Sequence, residues 1–241
     1  MLAVGEVGAG RNRKEPIVVG DNEVYDKELF LLPTHYKEDL ASVMIPKGLI
    51  EDRIEKLAMD ITEIYGDESV HLICVLKGSR GFFGALCKVL NRIRRYTKSH
   101  KNPPYIEHYV RLKSYSNAES TGKVQVISDD LDELSNKHVL IVEDIIDTGR
   151  TLSTFCKQLI ALNPKSLRIA ALLEKRAPRT MAIKADFAGF SIPDEFVVGY
   201  SLDYNEYYRD LDHIAVMGAS GIAKHKVTDE YDRQADPYNS L

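Results

Sequence analysis

The residues best placed for chemistry lie at 139–152, which read VLIVEDIIDTGRTL. Two adjacent acids, Glu143 and Asp144, follow four aliphatic residues; Asp147, Thr148, Gly149, Arg150 and Thr151 follow two apolar spacers, Ile145 and Ile146. Gly149 permits a tight turn, and backbone N–H groups with the Thr148 and Thr151 hydroxyls can converge on one anion at a helix N-terminus. The acids cannot hold the same anion, because like charges repel; they suit hydroxyl groups or a cation. The pair of subsites describes a sugar phosphate.

That chemistry needs a rigid frame. The run at 139–142 reads as a strand buried on both faces, and the apolar spacing through Leu162 reads as the helix it enters. A second strand–loop–helix precedes it: VHLICVL at 70–76, then Lys77-Gly78-Ser79-Arg80-Gly81, then a helix through Arg95. It offers a second anion site with a cation supplied. Apolar residues at three- and four-residue spacings make 49–65 a helix closed by Gly66. Residues 105–115 read as a strand leaving through Arg111, Leu112, Lys113, Ser114 and Tyr115, and the polar stretch 116–132 as a lid. Further strands are expected at 167–173, 183–190, 196–200 and 213–217. Alternation of strands and helices from 49 to 173 predicts an α/β fold with a doubly wound, mostly parallel sheet. In such sheets ligands bind beyond the carboxyl ends of the strands, which places both anion sites on one rim.

Composition bounds the class. The 241 residues are 44% hydrophobic and 28% charged, as in a soluble globular protein. A net charge of −4 and a pI near 6.0 give no general attraction to nucleic acid or an anionic membrane, and the basic run RIRRYTKSHK at 92–101 reads as a solvated helix end. No apolar run reaches the ~18 residues that span a bilayer. The N-terminus lacks the pattern of a secretory signal and Asn-Ser-Leu is not a peroxisomal address, so a cytoplasmic location is expected. Cys74, Cys87 and Cys156 sit singly in apolar patterns and read as reduced, buried thiols, and His71 as a satisfied strand residue. Residues 1–20 and 227–241 are polar, aperiodic and expected to be disordered.

The string of four apolar residues, Glu-Asp, two spacers and Asp-Thr-Gly-x-Thr resembles the phosphoribosyl pyrophosphate (PRPP) motif of type I phosphoribosyltransferases. LICVLKG at 72–78, RLKSY at 111–115, KRAPR at 175–179 and FVVGYSLDYNEYYRDL at 196–211 extend the resemblance over 25–226, to the purine-salvage branch of that family that acts on hypoxanthine and guanine. The resemblance implies one domain at 21–226, with the core at about 49–185 and a small hood from about 21–48 and 186–226.

It also implies a pentosyltransferase using Mg²⁺ that moves ribose 5-phosphate from PRPP to N9 of hypoxanthine or guanine, giving IMP or GMP and pyrophosphate. Glu143 and Asp144 would hold the ribose hydroxyls and, with Asp203, the metal. Residues 143–151, including Ile145, Ile146, Thr148, Gly149, Arg150 and Thr151, would bind PRPP or nucleotide, with Asp147 also handling the proton at purine N7. Lys77, Gly78, Lys113 and Arg209 would bind pyrophosphate beneath a lid containing Arg111, Ser114 and Tyr115, and a cis peptide would precede Lys77. Lys175 would donate to the 6-oxo group, Phe196 stack on the base, Val197 and Glu195 line its edge. A donor at Lys175 would face a donor on adenine, which disfavours that base. The implied assembly is a homodimer or homotetramer, without nucleic-acid or membrane partners. Two residues depart from the pattern, Ser79 for a usual Gly and Arg150 for a common Lys. A nucleotide-binding regulator that has lost turnover is the alternative; Asp147, which phosphate binding alone does not need, argues against it.

Overall fold

The computed structural model describes residues 13–96, 105–114, 124–128, 131–177 and 183–226. In chain order these form β1 (Ile17–Val18), β2 (Leu40–Ile45), α1 (Lys47–Tyr65), β3 (Val70–Leu76), α2 (Arg80–Tyr96), β4 (Tyr105–Ser114), β5 (Val124–Ser128), β6 (His138–Ile146), α3 (Arg150–Ala161), β7 (Ser166–Lys175), β8 (Phe187–Ile192), β9 (Val197–Val198), β10 (Ile214–Met217) and α4 (Ala219–Lys224). They divide into two compact units, Met1–Glu23 with Lys47–Glu195, and Val24–Pro46 with Phe196–Leu241.

The first unit is built on a seven-stranded sheet of order β1-β8-β7-β6-β3-β4-β5, parallel throughout except where β5 returns against β4. The order reverses between β3 and β6, so their carboxyl ends lie side by side at the switch point where open α/β sheets bind ligands. α1 and α2 pack together and onto the sheet, and α3 packs against β5 and β7. Val139 and Ile141 join Phe155, Cys156 and Leu159 of α3 in one core cluster. Leu140 and Val142, which alternation turns to the opposite face, are as fully buried. The continuous apolar run is thus a consequence of covered faces on both sides. The second unit is a three-stranded antiparallel sheet, β2-β10-β9, with a core of Leu32, Tyr36, Leu40, Val43, Tyr208 and Leu211 among others.

Several expectations are corrected. Residues 13–20 are ordered: Ile17 and Val18 pair in parallel with Phe190 and Ser191, because an open sheet edge accepts a two-residue strand that has no pattern of its own. The core-to-hood boundary moves from 185/186 to 195/196, since β8 belongs to the large sheet. β6 does not stop at the acids; Glu143 pairs with Ala171 and Ile146 with Glu174. The strand expected over 105–115 is present as β4, whose Arg111 to Ser114 pair with 124–127 of β5. Tyr115 and the tail 227–241 lie outside the described residues.

Candidate active site

The first unit gathers the sugar-phosphate residues on the rim at the switch point. β3 and β6 are in register through Cys74 and Val142; two residues on, Leu76 leads into Lys77 and Asp144 leads into the phosphate loop. The Leu76–Lys77 peptide is cis, as the resemblance implies. Asp144 lies against Gly78 so closely that a β-carbon on Gly78 would overlap its carboxylate. Asp144 Oδ1 also accepts from the N–H of Ile145 at 2.7 Å.

Glu143 is the electrostatically unusual member. Its Oε2 is buried with no hydrogen-bond partner. Burial, then the neighbouring Asp144 carboxylate, hold its carboxyl well above the usual carboxylate range. A buried oxygen without a partner, beside a second carboxylate, is a site that a cation or a hydroxyl donor would satisfy. The residues therefore fit a hard cation.

The loop closes on Gly149, whose φ of 72° is the left-handed conformation that glycine adopts without a side-chain penalty. α3 begins at Arg150 after an N-cap glycine, which has no side chain to cap with, so its first-turn N–H groups point toward the loop. Asp147, Thr148 and Arg150 are exposed and Thr151 is half-buried. Lys175, at the end of the adjacent β7, sets its Nζ 4.0 Å from Asp147 Oδ2 and 3.6 Å from Asp194 Oδ1. Leu76 is registered against Arg111 of β4, so Arg111 borders the Lys77 loop. Glu195, exposed, donates its N–H to Pro193 O at the end of this unit. Lys113 and Ser114 are placed by backbone only, in β4.

The departure at Ser79 is absorbed by the frame. Its side chain is fully buried, donates to the Val75 carbonyl and contacts Cys74 Sγ at 3.5 Å. The hydroxyl thus serves the β3–α2 junction.

The second unit carries the remaining predicted residues. Phe196 is half-exposed, meets Tyr204 edge-on at 5.4 Å, and its carbonyl accepts from Met217 N. Val197 follows in β9, buried. Asp203 and Arg209 are brought together: Nη2 lies 2.8 Å from Asp203 Oδ1 and 3.2 Å from Glu206 Oε1, and Nη1 donates to Ser201 O at 2.8 Å. The segment that carries them takes left-handed backbone at Tyr200, Ser201, Asn205, Glu206 and Tyr208. Tyr208 plugs it into the core and donates its hydroxyl to buried Asp39 at 3.1 Å. Glu206 and Asp194 are charged neighbours that spacing alone did not single out.

His71, His108 and Glu133 form a further cluster at the opposite end of the sheet. His71 Nδ1 and His108 Nε2 are 2.9 Å apart, with ring centroids 5.1 Å apart and planes within 16°. The rings lie end to end, which suits one shared proton. Two imidazoles on one tetrahedral ion would instead converge on it at an angle, each about 2.0–2.1 Å away.

Comparison with known proteins agrees with this geometry. Residues 46–205 match the phosphoribosyl transferase domain family. A hypoxanthine-guanine-xanthine phosphoribosyltransferase of Plasmodium falciparum is 53% identical over 92% of this chain and 96% of its own. The human hypoxanthine-guanine phosphoribosyltransferase is 49% identical over 89% of this chain and 98% of its own. The crystal structure of the Schistosoma mansoni hypoxanthine-guanine phosphoribosyltransferase with IMP superposes with a TM-score of 0.76 at 36% identity, covering 89% of this chain and all of that one. The chain belongs to the phosphoribosyltransferase family, among the hypoxanthine-guanine phosphoribosyltransferases.

Proposed function

We propose that the chain transfers the 5-phosphoribosyl group from PRPP to N9 of hypoxanthine or guanine, releasing pyrophosphate and giving IMP or GMP. The observation that carries this reading is the meeting of the Lys77-Gly78 loop with Asp144, beside the N-terminus of α3, at the sheet's switch point.

Each residue then has a task. The loop 147–151 takes the 5′-phosphate on its N–H groups and hydroxyls, with Arg150 adding charge. Glu143 and Asp144 take the ribose hydroxyls. Lys77, Gly78, Lys113 and Arg209 take the pyrophosphate, whose negative charge grows as the C1–O bond breaks. Asp147 accepts the proton that the purine loses as N9 bonds to C1. Lys175 donates to the 6-oxo oxygen, Phe196 covers the base, and Val197 with Glu195 borders its edge. Arg111, Ser114 and Tyr115 belong to the segment that excludes water from the ribosyl cation. Glu143, Asp144 and Asp203 would hold Mg²⁺, which would supply charge neutralisation to the pyrophosphate. The name of the P. falciparum relative extends the acceptors to xanthine, which offers Lys175 the same 6-oxo group.

The protein works as a cytoplasmic homodimer or homotetramer on these small molecules, with Cys74, Cys87 and Cys156 buried and unpaired. The test is turnover: with PRPP, Mg²⁺ and hypoxanthine, IMP and pyrophosphate are expected in equal amounts. PRPP binding without product would instead make the chain a regulator.

A further inference from the structure

Both sequence neighbours of Lys175 are tied to the N-terminal segment. Glu174 is buried and receives Arg13 in a two-pronged contact, Nη1 to Oε1 at 3.2 Å and Nη2 to Oε2 at 2.9 Å. Arg13 Nη1 also donates to Ala185 O at 3.1 Å, and Ala185 N donates to Glu174 Oε1 at 2.7 Å. On the other side, Arg176 donates to Asp21 Oδ1 and, at 2.8 Å, to Ser191 O. Between these anchors the segment follows β8: Lys14 N reaches Asp186 O, Ile17 and Val18 pair with Phe190 and Ser191, and Val19 N reaches Ser191 O.

Successive strand residues point to opposite faces, so Glu174 and Lys175 leave β7 on opposite sides. Arg13 therefore grips the strand end from the face that does not carry the Lys175 amine. A lysine ammonium rides on a four-carbon stem with no preformed fork, so its aim depends on where its Cα is held. Removing Arg13 leaves a buried carboxylate with its charge uncompensated, and the strand end must shift to rehydrate it.

We propose that Arg13 is a positioning residue for base recognition: through Glu174 it holds the end of β7 and so fixes the aim of Lys175. The inference rests on the reading of Lys175 as the donor to the 6-oxo group. Arg13 touches no group assigned to PRPP, so its effect falls on the base.

The test is steady-state kinetics on the full-length enzyme with hypoxanthine and PRPP varied separately. Arg13→Ala is expected to raise the KM for hypoxanthine roughly 10-fold, within the scale for misplacing a contact by under an ångström, with the KM for PRPP within about twofold. Arg13→Lys, which keeps the charge and loses the fork, recovers part of the loss. Glu174→Gln reproduces the Arg13→Ala effect, and the double variant is no worse than either single one. Equal rises in both KM values, additive single effects, or an unchanged KM for hypoxanthine overturn the proposal. Should Arg13→Ala be insoluble, the same KM comparison is made on Arg13→Lys. Lys175→Ala separates the two levels: an unchanged hypoxanthine KM there overturns the Lys175 reading and the proposal with it. A raised KM in Lys175→Ala beside normal kinetics in Arg13→Ala overturns the proposal alone.

Discussion

The Asp144 carboxylate rests directly on the Cα of Gly78, in the space a β-carbon would fill. This contact joins the loop after β3 to the end of β6, which leads into the phosphate loop. Gly78→Ala must push the Lys77-Gly78 loop away from the end of β6. We expect kcat/KM for PRPP to fall about 10²-fold, the cost of an ångström-scale misplacement, with a much smaller change in thermal midpoint. Kinetics beside a melting curve check it; wild-type kcat/KM would show that the two segments tolerate separation.

Asp147→Asn tests proton handling apart from binding. The side chain keeps its size and exposed position, so the variant should fold and bind PRPP. Its kcat should fall at least ~10²-fold, the usual scale for acid–base catalysis. A single-turnover measurement with PRPP titration distinguishes the two effects. Near-normal kcat would remove Asp147 from the chemistry.

Ser79→Ala removes the hydroxyl that donates to Val75 O inside the β3–α2 junction. Loss of one buried hydrogen bond costs about 1 kcal/mol, read as a lower denaturation midpoint. The KM for PRPP should stay within about twofold, because the hydroxyl does not face the loop. A large KM change with unaltered stability would mean that Ser79 tunes the anion site instead.

The His71–His108 pair makes stability depend on pH. Burial lowers both pKa values from 6.5; for His71, His108 and Lys137 push the same way while Glu133 opposes, and for His108 Glu133 is the opposing group. The unfolded chain thus binds more protons than the folded one near pH 6, so stability is complete above 6.5 and falls as pH drops below it. Thermal midpoints between pH 8 and 5 should decline on the acid side, and His108→Gln should flatten that decline. An equally steep decline in the variant would assign it to other groups, His138 first among them, whose pKa burial also lowers.

How far the sequence discloses this molecule depends on the range of the interactions. β3 is readable to both ends, Val70 and Leu76, because an apolar run is bounded by Gly66 and Lys77. β6 is read too short because Glu143 and Asp144 look like terminators, although main-chain pairing with β7 is indifferent to their charge. β1 is invisible because two residues carry no period and their partners lie more than 170 positions away. The phosphate loop and Lys77-Gly78 are legible as local strings. Arg13–Glu174 and the Asp39–Tyr208 anchor are not, since a long-range pair leaves no local spacing. The six-residue α4, with Gly221 packed against Asp39, falls below what periodicity can register.

One assay bears most directly on the central claim: PRPP and Mg²⁺ with hypoxanthine, guanine, xanthine and adenine offered in parallel, product followed by absorbance. Rapid turnover of hypoxanthine and guanine with adenine inert is the predicted result, and the rate with xanthine completes the acceptor profile. Turnover of adenine at a comparable rate, or of no base by protein that binds PRPP, would contradict the account.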